Sequence, residues 1–400
     1  MVMKFNKLKR KMNKSQNICL FFYVLYFIVH IYVFSKVKSV FYLGTVENIL
    51  LGLFLLFMTV SPFLIYIYTK KGPVTYSRIF AYIGYLWVAL LIMFFPLSLT
   101  AELYNLTIKM GNHLFQQDIS WMMLSPVSLF FIPLFLSIAF NTYGYFEAKK
   151  LKIERVTVKT SKLPEKVDRI KIALLSDLHL GIIIRERTLD RVLKEIKNAE
   201  PDLIVSTGDL IDGVVSDIDD LADRLRNVHA KFGKFAVTGN HEFYAGITPS
   251  LKFTEDAGFT VLRGEVMTVG HSINIAGVDN PEDSRNSVLK PEEEILSKLP
   301  SDKFTLLLKH KPNINKKSLG FFDLQVSGHT HKGQIFPVSI ITSFFFQHHS
   351  GFTYLPKNSA LYVSRGIGSA GPPIRFLAPP ELTIIEVVSA NKIKKEGDYK

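Results

Sequence analysis

Residues 170–179 have the sequence IKIALLSDLH, an apolar run followed by Asp177 and His179 with one residue between them. A short apolar run bounded by polar residues is typical of a buried strand. In open α/β sheets, reactive groups lie just past the carboxyl ends of strands. This stretch therefore predicts a buried strand that delivers a carboxylate and an imidazole to the edge of a sheet.

Four more apolar runs end in polar residues of the same kinds, which are Gly208-Asp209, Gly239-Asn240-His241-Glu242, Lys309-His310 and Gly328-His329-Thr330-His331. Two divalent cations about 3.5–4 Å apart can hold both the attacking and the leaving oxygen of a phosphoryl transfer. Such a pair needs carboxylates to offset its charge and imidazoles to fix its geometry. The five strand ends together therefore predict a site for two divalent metal ions.

The spacing of these residues also indicates how they would divide between two ions. Asp209 is a lone carboxylate at its strand end, so we expect it to bridge the pair. Asn240 offers a neutral carbonyl oxygen. The other predicted ligands are Asp177, His179 and His331 for one ion, and His310 and His329 for the other.

The composition is not that of a single soluble domain. Hydrophobic residues make up 48% of 400 residues, and the net charge is +13. An excess of basic residues can bind nucleic acid, an anionic membrane surface or an anionic substrate. The Lys and Arg residues cluster beside long apolar runs, which favours the membrane. The single cysteine, Cys19, excludes an intramolecular disulfide framework.

Four apolar runs are long enough to cross a bilayer, which takes about 20 residues. They occupy residues 17–35, 48–68, 79–99 and 121–143. The first is longer than the apolar core of a signal peptide, and no small-residue cleavage site follows it. Some of the runs could instead be buried helices of a soluble protein, but four in succession with short links favour membrane spans.

The Lys and Arg residues between these runs predict the orientation. The segments expected in the cytoplasm are the N-terminal one with six basic residues, the second loop and the segment after the fourth run, which contain Lys70, Lys71, Arg78, Lys149, Lys150, Lys152 and Arg155. The first and third loops have only Lys36, Lys38 and Lys109. We therefore expect both termini and the catalytic domain in the cytoplasm.

The pattern after residue 150 changes to alternating strands and helices, which is typical of a layered α/β domain. Strands are predicted at 153–158, 170–175, 203–206, 235–237, 273–276, 305–308, 324–326, 361–363 and 382–387. Helices are predicted at 187–198, 218–228, 249–256 and 291–298. The predicted domains are a basic tail (1–16), a transmembrane helical domain (17–145), a linker with a first strand (146–167), the α/β domain (168–390) and a polar tail (391–400).

The five motifs, in this order and at these spacings, resemble those of the calcineurin-like metallophosphoesterases over about residues 168–388. The resemblance implies a four-layer αββα sandwich with a dimetal site above the strand ends. It implies that Asp177, His179, Asp209, Asn240, His310, His329 and His331 are metal ligands. It also implies that His241 is the general acid or stabilises the transition state.

Residues 309–312, 328–337 and 362–368 are more similar to a membrane-associated branch that includes UDP-2,3-diacylglucosamine hydrolases. The four preceding spans depart from the single-anchor or soluble forms of that branch. Arg365 and Arg375 are candidate substrate-binding residues. The aromatic run Phe344, Phe345 and Phe346, with 182–184, is expected to form an apolar rim that meets acyl chains or the bilayer.

We therefore expect a membrane-anchored, metal-dependent phosphoester hydrolase acting on a phosphodiester or pyrophosphate bond, in a substrate such as a UDP-diacylglucosamine-like lipid or a phospholipid. Mixed His and carboxylate ligands suit Mn²⁺, Fe²⁺ and Zn²⁺ alike. One alternative is a phosphodiesterase for soluble nucleotides with the spans as an anchor only. Another is a receptor or transporter with a binding-only domain. The expected partners are membrane lipids and an anionic phosphoester, with no nucleic acid and no obligate protein partner.

Overall fold

A computed structural model describes residues 14–71, 74–213, 218–279 and 291–390. The polar C-terminal tail predicted at 391–400 and most of the basic tail at 1–16 lie outside these residues. The N-terminal part is helical, with α1 (Lys14–Val40), α2 (Thr45–Lys71), α3 (Val74–Phe115) and α4 (Pro126–Glu147).

These four helices are long and apolar enough to cross a membrane. Helix α3 has 42 residues, whereas the third predicted span ends at residue 99. The helix continues to Phe115 because residues 100–115 contain no proline that would stop it. At about 1.5 Å per residue, 42 residues exceed what the hydrocarbon core requires. The third predicted loop is thus largely helical.

The chain forms two compact units. The first consists of the residues up to Ile65 together with Met93–Ile138. Within it, the hydroxyl of Tyr32 in α1 lies 2.7 Å from Ser98 Oγ in α3, and Lys36 forms an ion pair with Glu102.

The second unit consists of Tyr66–Ile92 and the residues from Ala139 onward, and it contains two six-stranded sheets. The units do not follow the boundary predicted at residue 145, because the first part of α3 and the end of α4 group with the sheets. The strands are β1 (Lys152–Thr160), β2 (Arg169–Leu175), β3 (Leu203–Ser206), β4 (Lys234–Ala236), β5 (Thr260–Val261), β6 (Glu265–Val269), β7 (Ile273–Val278), β8 (Phe304–Lys309), β9 (Leu324–Ser327), β10 (Gly351–Tyr354), β11 (Ala360–Val363) and β12 (Glu381–Ser389).

Both sheets are mixed. The first has the order β1-β12-β2-β3-β4-β5, with β2 to β5 parallel. The second has the order β10-β11-β9-β8-β7-β6, with β7, β8, β9 and β11 parallel. Parallel strands end at the same edge, so the polar residues that follow β2, β3, β4, β8 and β9 gather there.

The layers are held by apolar side chains from both faces of the sheets. Leu174 and Val205 of the first sheet share a buried cluster with Leu306 and Val326 of the second. The outer face of the first sheet is covered by α5 (Glu186–Ala199), α6 (Asp219–Arg226) and α8 (Ile247–Asp256). Leu296 of α9 (Glu292–Leu296) packs on the other sheet. This arrangement confirms the predicted α/β layered fold.

Two short helices were not among the predicted elements, α7 (Asn240–Ala245) and α10 (Val338–Phe345). The segment predicted as a linker with a first strand contains β1, which pairs in parallel with β12 along nine residues. It is therefore part of the first sheet and not a free connection.

Candidate active site

The predicted ligands of the first ion lie together at the ends of β2 and β9. One ligand atom each of Asp177, His179 and His331 falls within a cluster whose atoms are all within 4.8 Å of one another. The Nε2 atoms of His179 and His331 are 3.0 Å apart, and His331 Nε2 is 3.5 Å from Asp177 Oδ1. All three residues are buried.

The predicted ligands of the second ion form a neighbouring cluster of Asp209, His310 and His329. His310 Nε2 lies 3.0 Å from Asn240 Oδ1 and 3.1 Å from His329 Nδ1. Oδ2 of Asp209 is 3.3 Å from His310 Nε2 and 3.9 Å from His179 Nε2. The carboxylate of Asp209 thus lies between the two clusters, where a bridging ligand is required.

The backbone around these ligands is tightly turned. Asp177, His179, Asp209, His329 and His331 all have φ between 49° and 72°. This left-handed conformation costs most residues free energy, and such residues concentrate at functional sites. A Cβ at Gly328 would collide with Ser176 Oγ and the Asp177 carboxylate, which explains the glycine before the two histidines.

Glu242 and Ser176 form hydrogen bonds that stabilise the buried turns on which the ligands lie. Glu242 of α7 accepts hydrogen bonds from the backbone N–H groups of Gly239, Asp209 and Leu210, at 2.7–3.0 Å. Glu242 therefore supports the backbone amides of these turns. The Ser176 hydroxyl donates a hydrogen bond to the Asp177 carboxylate, and the sequence motifs alone did not predict this contact.

Burial and neighbouring charges shift the pKa values of the site residues in different directions. Burial opposes ionisation of Asp209, but the charge and hydrogen bond of His310 outweigh it and hold the pKa of Asp209 well below its usual value. Burial raises the pKa of Asp177 to about 6. Burial, aided by nearby cations, lowers the pKa of His179 to about 4 and that of His329 to about 3.

His310 has the opposite shift. Burial disfavours its cationic form, but the charges of Asp209 and Asp177 prevail and raise its pKa to about 9. Its Nδ1 donates to the Thr207 carbonyl oxygen at 2.9 Å. That bond leaves Nε2 directed at Asp209 and Asn240, as expected for a metal-binding histidine fixed by a carbonyl group behind it.

His241 lies beside both clusters without belonging to the ligand set. Its backbone N–H donates to Asp209 Oδ1 at 2.8 Å, and its Nδ1 is 2.8 Å from Asp212 Oδ1. Burial alone would lower the pKa of His241, but the hydrogen bond to Asp212 and the charge of Asp209 raise it to about 9. Asp212 therefore orients this imidazole.

These residues fit two divalent cations. Two imidazole nitrogens that face each other at 3.0 Å repel unless a proton or a metal ion lies between them. Among the described residues, His179 Nδ1 is also a buried nitrogen without a hydrogen-bond partner. The donor set of carboxylates, one amide and four imidazoles is suited to Mn²⁺, Fe²⁺ or Zn²⁺.

The structure places the two candidate substrate-binding residues, Arg365 and Arg375, away from the space between the two ligand clusters. Arg375 is 0% exposed, and its guanidinium donates to the carbonyls of Gly368, Arg365 and His331. Its Nη2 also lies 2.8 Å from Nδ1 of His331. Arg375 therefore holds a metal ligand from behind, out of reach of a substrate.

Arg365 lies in ion pairs on the same side of the domain. Its Nε is 2.7 Å from Glu381 Oε2, and it also pairs with Glu154 of β1. These contacts join the loop after β11 to strands β12 and β1. They give Arg365 a structural role and no contact with the two ligand clusters.

The predicted apolar rim is split between two places. The ring of Phe346 lies 5.5 Å from that of His329, and Phe344 and Phe345 are 83% and 72% exposed. Ile183 and Ile184 instead line a separate cavity beside α5. Only the aromatic segment is thus adjacent to a predicted metal ligand.

Comparison with known proteins agrees with this geometry. The calcineurin-like phosphoesterase family matches residues 170–333. An uncharacterized metallophosphoesterase of Aquifex aeolicus (strain VF5) is 38% identical over 257 residues, which cover 64% of this chain and 98% of that protein. The uncharacterized metallophosphoesterase YkuE of Bacillus subtilis (strain 168) is 35% identical, with coverage of 62% and 91%. A zebrafish (Danio rerio) protein described as a transmembrane protein with metallophosphoesterase domain is 28% identical, with coverage of 65% and 62%.

The chain belongs to the calcineurin-like metallophosphoesterase family. It is a metal-dependent phosphoester hydrolase, as predicted, with clustered residues for a dimetal site. The four apolar helices and the similarity to a transmembrane relative indicate that it is associated with a membrane.

Proposed function

We propose that this protein hydrolyses a phosphodiester or pyrophosphate bond in a lipid-linked substrate, and that its catalytic domain faces the cytoplasm. The observation that supports a lipid substrate is α10, a helix with exposed apolar side chains that ends beside a metal ligand. Its exposed residues include Ile340, Ile341, Phe344 and Phe345, and the ring of the next residue, Phe346, contacts that of His329. Apolar surface of this kind marks a binding site.

The location of α10 also supports a lipid substrate. The segment before α10 is joined to residue 376, since the Phe336 N–H donates to the Phe376 carbonyl oxygen at 3.1 Å. The ring of Phe376 stacks on Phe140 of α4 at a centroid distance of 5.1 Å. Within the second unit, α10 thus begins beside a helix that is apolar enough to lie in the bilayer. A lipid could present its headgroup to the metal site and its chains to α10.

The proposed mechanism assigns a role to each group of residues. The seven ligands would hold two cations, which when bound supply positive charge that activates water and offsets the charge of the phosphoryl group. Nδ1 of His241 is bonded to Asp212, so Nε2 is the nitrogen that can give a proton to the leaving oxygen. Glu242 keeps the Asp209 turn in place through its backbone hydrogen bonds.

The test compares an acylated substrate with a short soluble one, such as a nitrophenyl phosphodiester. In the double variant Phe344→Ser, Phe345→Ser, we expect KM for the acylated substrate to rise by about tenfold or more, because about 1.4 kcal/mol of apolar contact is lost. KM for the short substrate should not change. Phe346 is left intact because its ring contacts His329.

Tyr354→Ser is a matched control, since Tyr354 is another highly exposed aromatic residue, in β10. It should leave both KM values as they are. An equal loss on both substrates in the double variant would mean that α10 supports the metal site and does not bind a lipid tail. Preference of the wild type for soluble nucleotides over every acylated substrate would favour the nucleotide phosphodiesterase instead.

A further inference from the structure

The second unit contains a cavity of about 490 Å³ that the hydrolase mechanism does not use. It lies where the first turns of α3, the end of α4 and the start of α5 meet. Its volume is in the range of small-molecule sites. None of the seven predicted metal ligands lines it, and its polar lining is mostly basic: Arg78, Lys149, Arg185, Arg187 and Arg191, with Tyr82 and Tyr145.

Among the residues that the structure describes, the basic side chains in the cavity lining outnumber the acidic ones. Glu186 is the single carboxylate among the described lining residues, and the Nε atom of Arg185 lies 2.9 Å from Glu186 Oε1. Arg191 donates to the backbone carbonyls of Lys149 and Arg187, which do not cancel its charge. Within the described ranges, no carboxylate forms an ion pair with Arg78, Lys149 or Arg187.

A bound anion would offset the mutual repulsion of these cations. The first turn of α5 adds the positive end of a helix dipole, since Glu186 and Arg187 are its first two residues. Ile183, Ile184 and Ile367 also line the cavity and give it an apolar wall. The cavity therefore has the properties of an anion-binding site with an apolar wall.

The position of the cavity on the membrane helices indicates the source of the anion. Arg78 is the fifth residue of α3, and Tyr145 lies in the last turn of α4. Because both residues lie at the ends of helices that are long and apolar enough to cross a membrane, we expect them near the level where a bilayer meets water, whichever way the chain is oriented. Lipid phosphates occupy that level, and Tyr, Lys and Arg are typical of it.

We propose that this cavity binds the phosphate headgroup of an anionic membrane phospholipid. The site is separate from the metal centre but shares a wall with it, because the Gly368 N–H on the cavity side donates to the Asp177 carbonyl oxygen at 2.8 Å. The bound lipid would fix the catalytic domain against the leaflet. Binding does not require that this lipid be the substrate.

The test is a binding measurement on the full-length protein in detergent, with EDTA present so that no probe is hydrolysed. The probe is fluorescent phosphatidylglycerol, followed by anisotropy, with phosphatidylcholine as the zwitterionic comparison. The variant is Arg78→Gln, Lys149→Gln, Arg187→Gln. The control is Lys150→Gln, Lys152→Gln, Arg155→Gln, which removes the same charge from exposed neighbouring positions outside the cavity.

We expect the cavity variant to bind phosphatidylglycerol about tenfold or more weakly than the control, since only the cavity residues would contact the phosphate directly. Glu186→Gln removes the one carboxylate and should strengthen binding. A gain of affinity cannot arise from misfolding, so this second variant tests the site even if the first is unstable.

Three results would overturn the proposal. Equal losses in variant and control would show only a diffuse basic surface. Equal affinity for phosphatidylcholine would show that the anionic charge is not recognised. Displacement by inorganic phosphate or glycerol phosphate at concentrations as low as those of the lipid would make the ligand a soluble phosphate compound. Because no turnover is measured, a failure here is distinct from a failure of the proposed hydrolysis.

Discussion

The side chain of Asp209 lies between the two ligand clusters. Its two carboxylate oxygens have different partners, since Oδ1 accepts the His241 N–H while Oδ2 approaches His310 and His179. The Glu242 carboxylate fixes its backbone N–H. The residue is thus held from three sides, and its charge is directed at the space between the clusters.

Asp209→Asn keeps the size of this side chain and removes its charge. We expect activity to fall by several orders of magnitude, because two cations would then share one carboxylate fewer. Elemental analysis should give about two metal ions per chain in the wild type and fewer in the variant. Asp220→Asn, at an exposed position in α6, should change neither quantity. A wild type that is fully active without metal would contradict the dimetal site.

His241 and Asp212 should act as a pair. His241→Ala should lower kcat by about 10²–10⁴-fold, the usual contribution of a general acid, while metal content stays near that of the wild type. Asp212→Asn should lower kcat in the same direction but less, because it removes only the partner of Nδ1. His229→Ala, at an exposed position, serves as the control. Loss of both metals in His241→Ala would instead make His241 a ligand.

The sequence was sufficient to group these residues, because each motif follows directly after an apolar strand. It was not sufficient for Arg375. A guanidinium beside strand ends is consistent with substrate binding, and its actual partners are carbonyls of Gly368, Arg365 and His331 that only the folded chain brings together. Burial of a charged group is a property of the packing and has no signal in the residue itself.

At the scale of elements, the turn after β9 supplies one histidine to each cluster. Gly328 precedes both, and a methyl group there would collide with Ser176 and Asp177. Gly328→Ala should therefore lower metal content and activity by about a hundredfold or more, through displacement of catalytic groups by a few tenths of an ångström. In Gly111→Ala the added methyl would make an ordinary 3.5 Å contact, so this control should be unaffected. Normal metal content in Gly328→Ala would show that the turn can shift without harm.

The central strands and the edge strand β1 were predicted to within about two residues, whereas the strands β5, β6 and β10 and the helices α7 and α10 were missed. Strand β8 is a continuous buried apolar run, so its signal is strong. Strand β6 is largely exposed and β5 has two residues, so neither has an apolar pattern of its own. Helix α10 ends in two successive phenylalanines and Phe346 follows it, so the apolar residues conceal the helical period, and none of the residues of α10 is buried.

At the scale of the whole molecule, the metal site is joined to a membrane helix within the second unit. The backbone N–H of Arg375 donates to the Gly144 carbonyl of α4 at 3.0 Å, while its side chain holds His331. One buried residue thus connects the end of a predicted span with a metal ligand. The end of α4 and the metal ligand His331 are therefore linked through Arg375. Such a link would keep the metal site close to the membrane, where a lipid-linked substrate lies.

The distribution of Lys and Arg residues predicts the orientation of the chain in the membrane. Four spans return the chain to the side on which it began, and the basic residues before α1 and after α4 favour the cytoplasm. Alkaline phosphatase fused at the C-terminus should be inactive, while green fluorescent protein at the same place should fluoresce. A fusion after Tyr42, between α1 and α2, should show the reverse. If the C-terminal phosphatase is active and the Tyr42 fusion is silent, the catalytic domain faces outward, and its lipid substrate must be sought in the opposite leaflet.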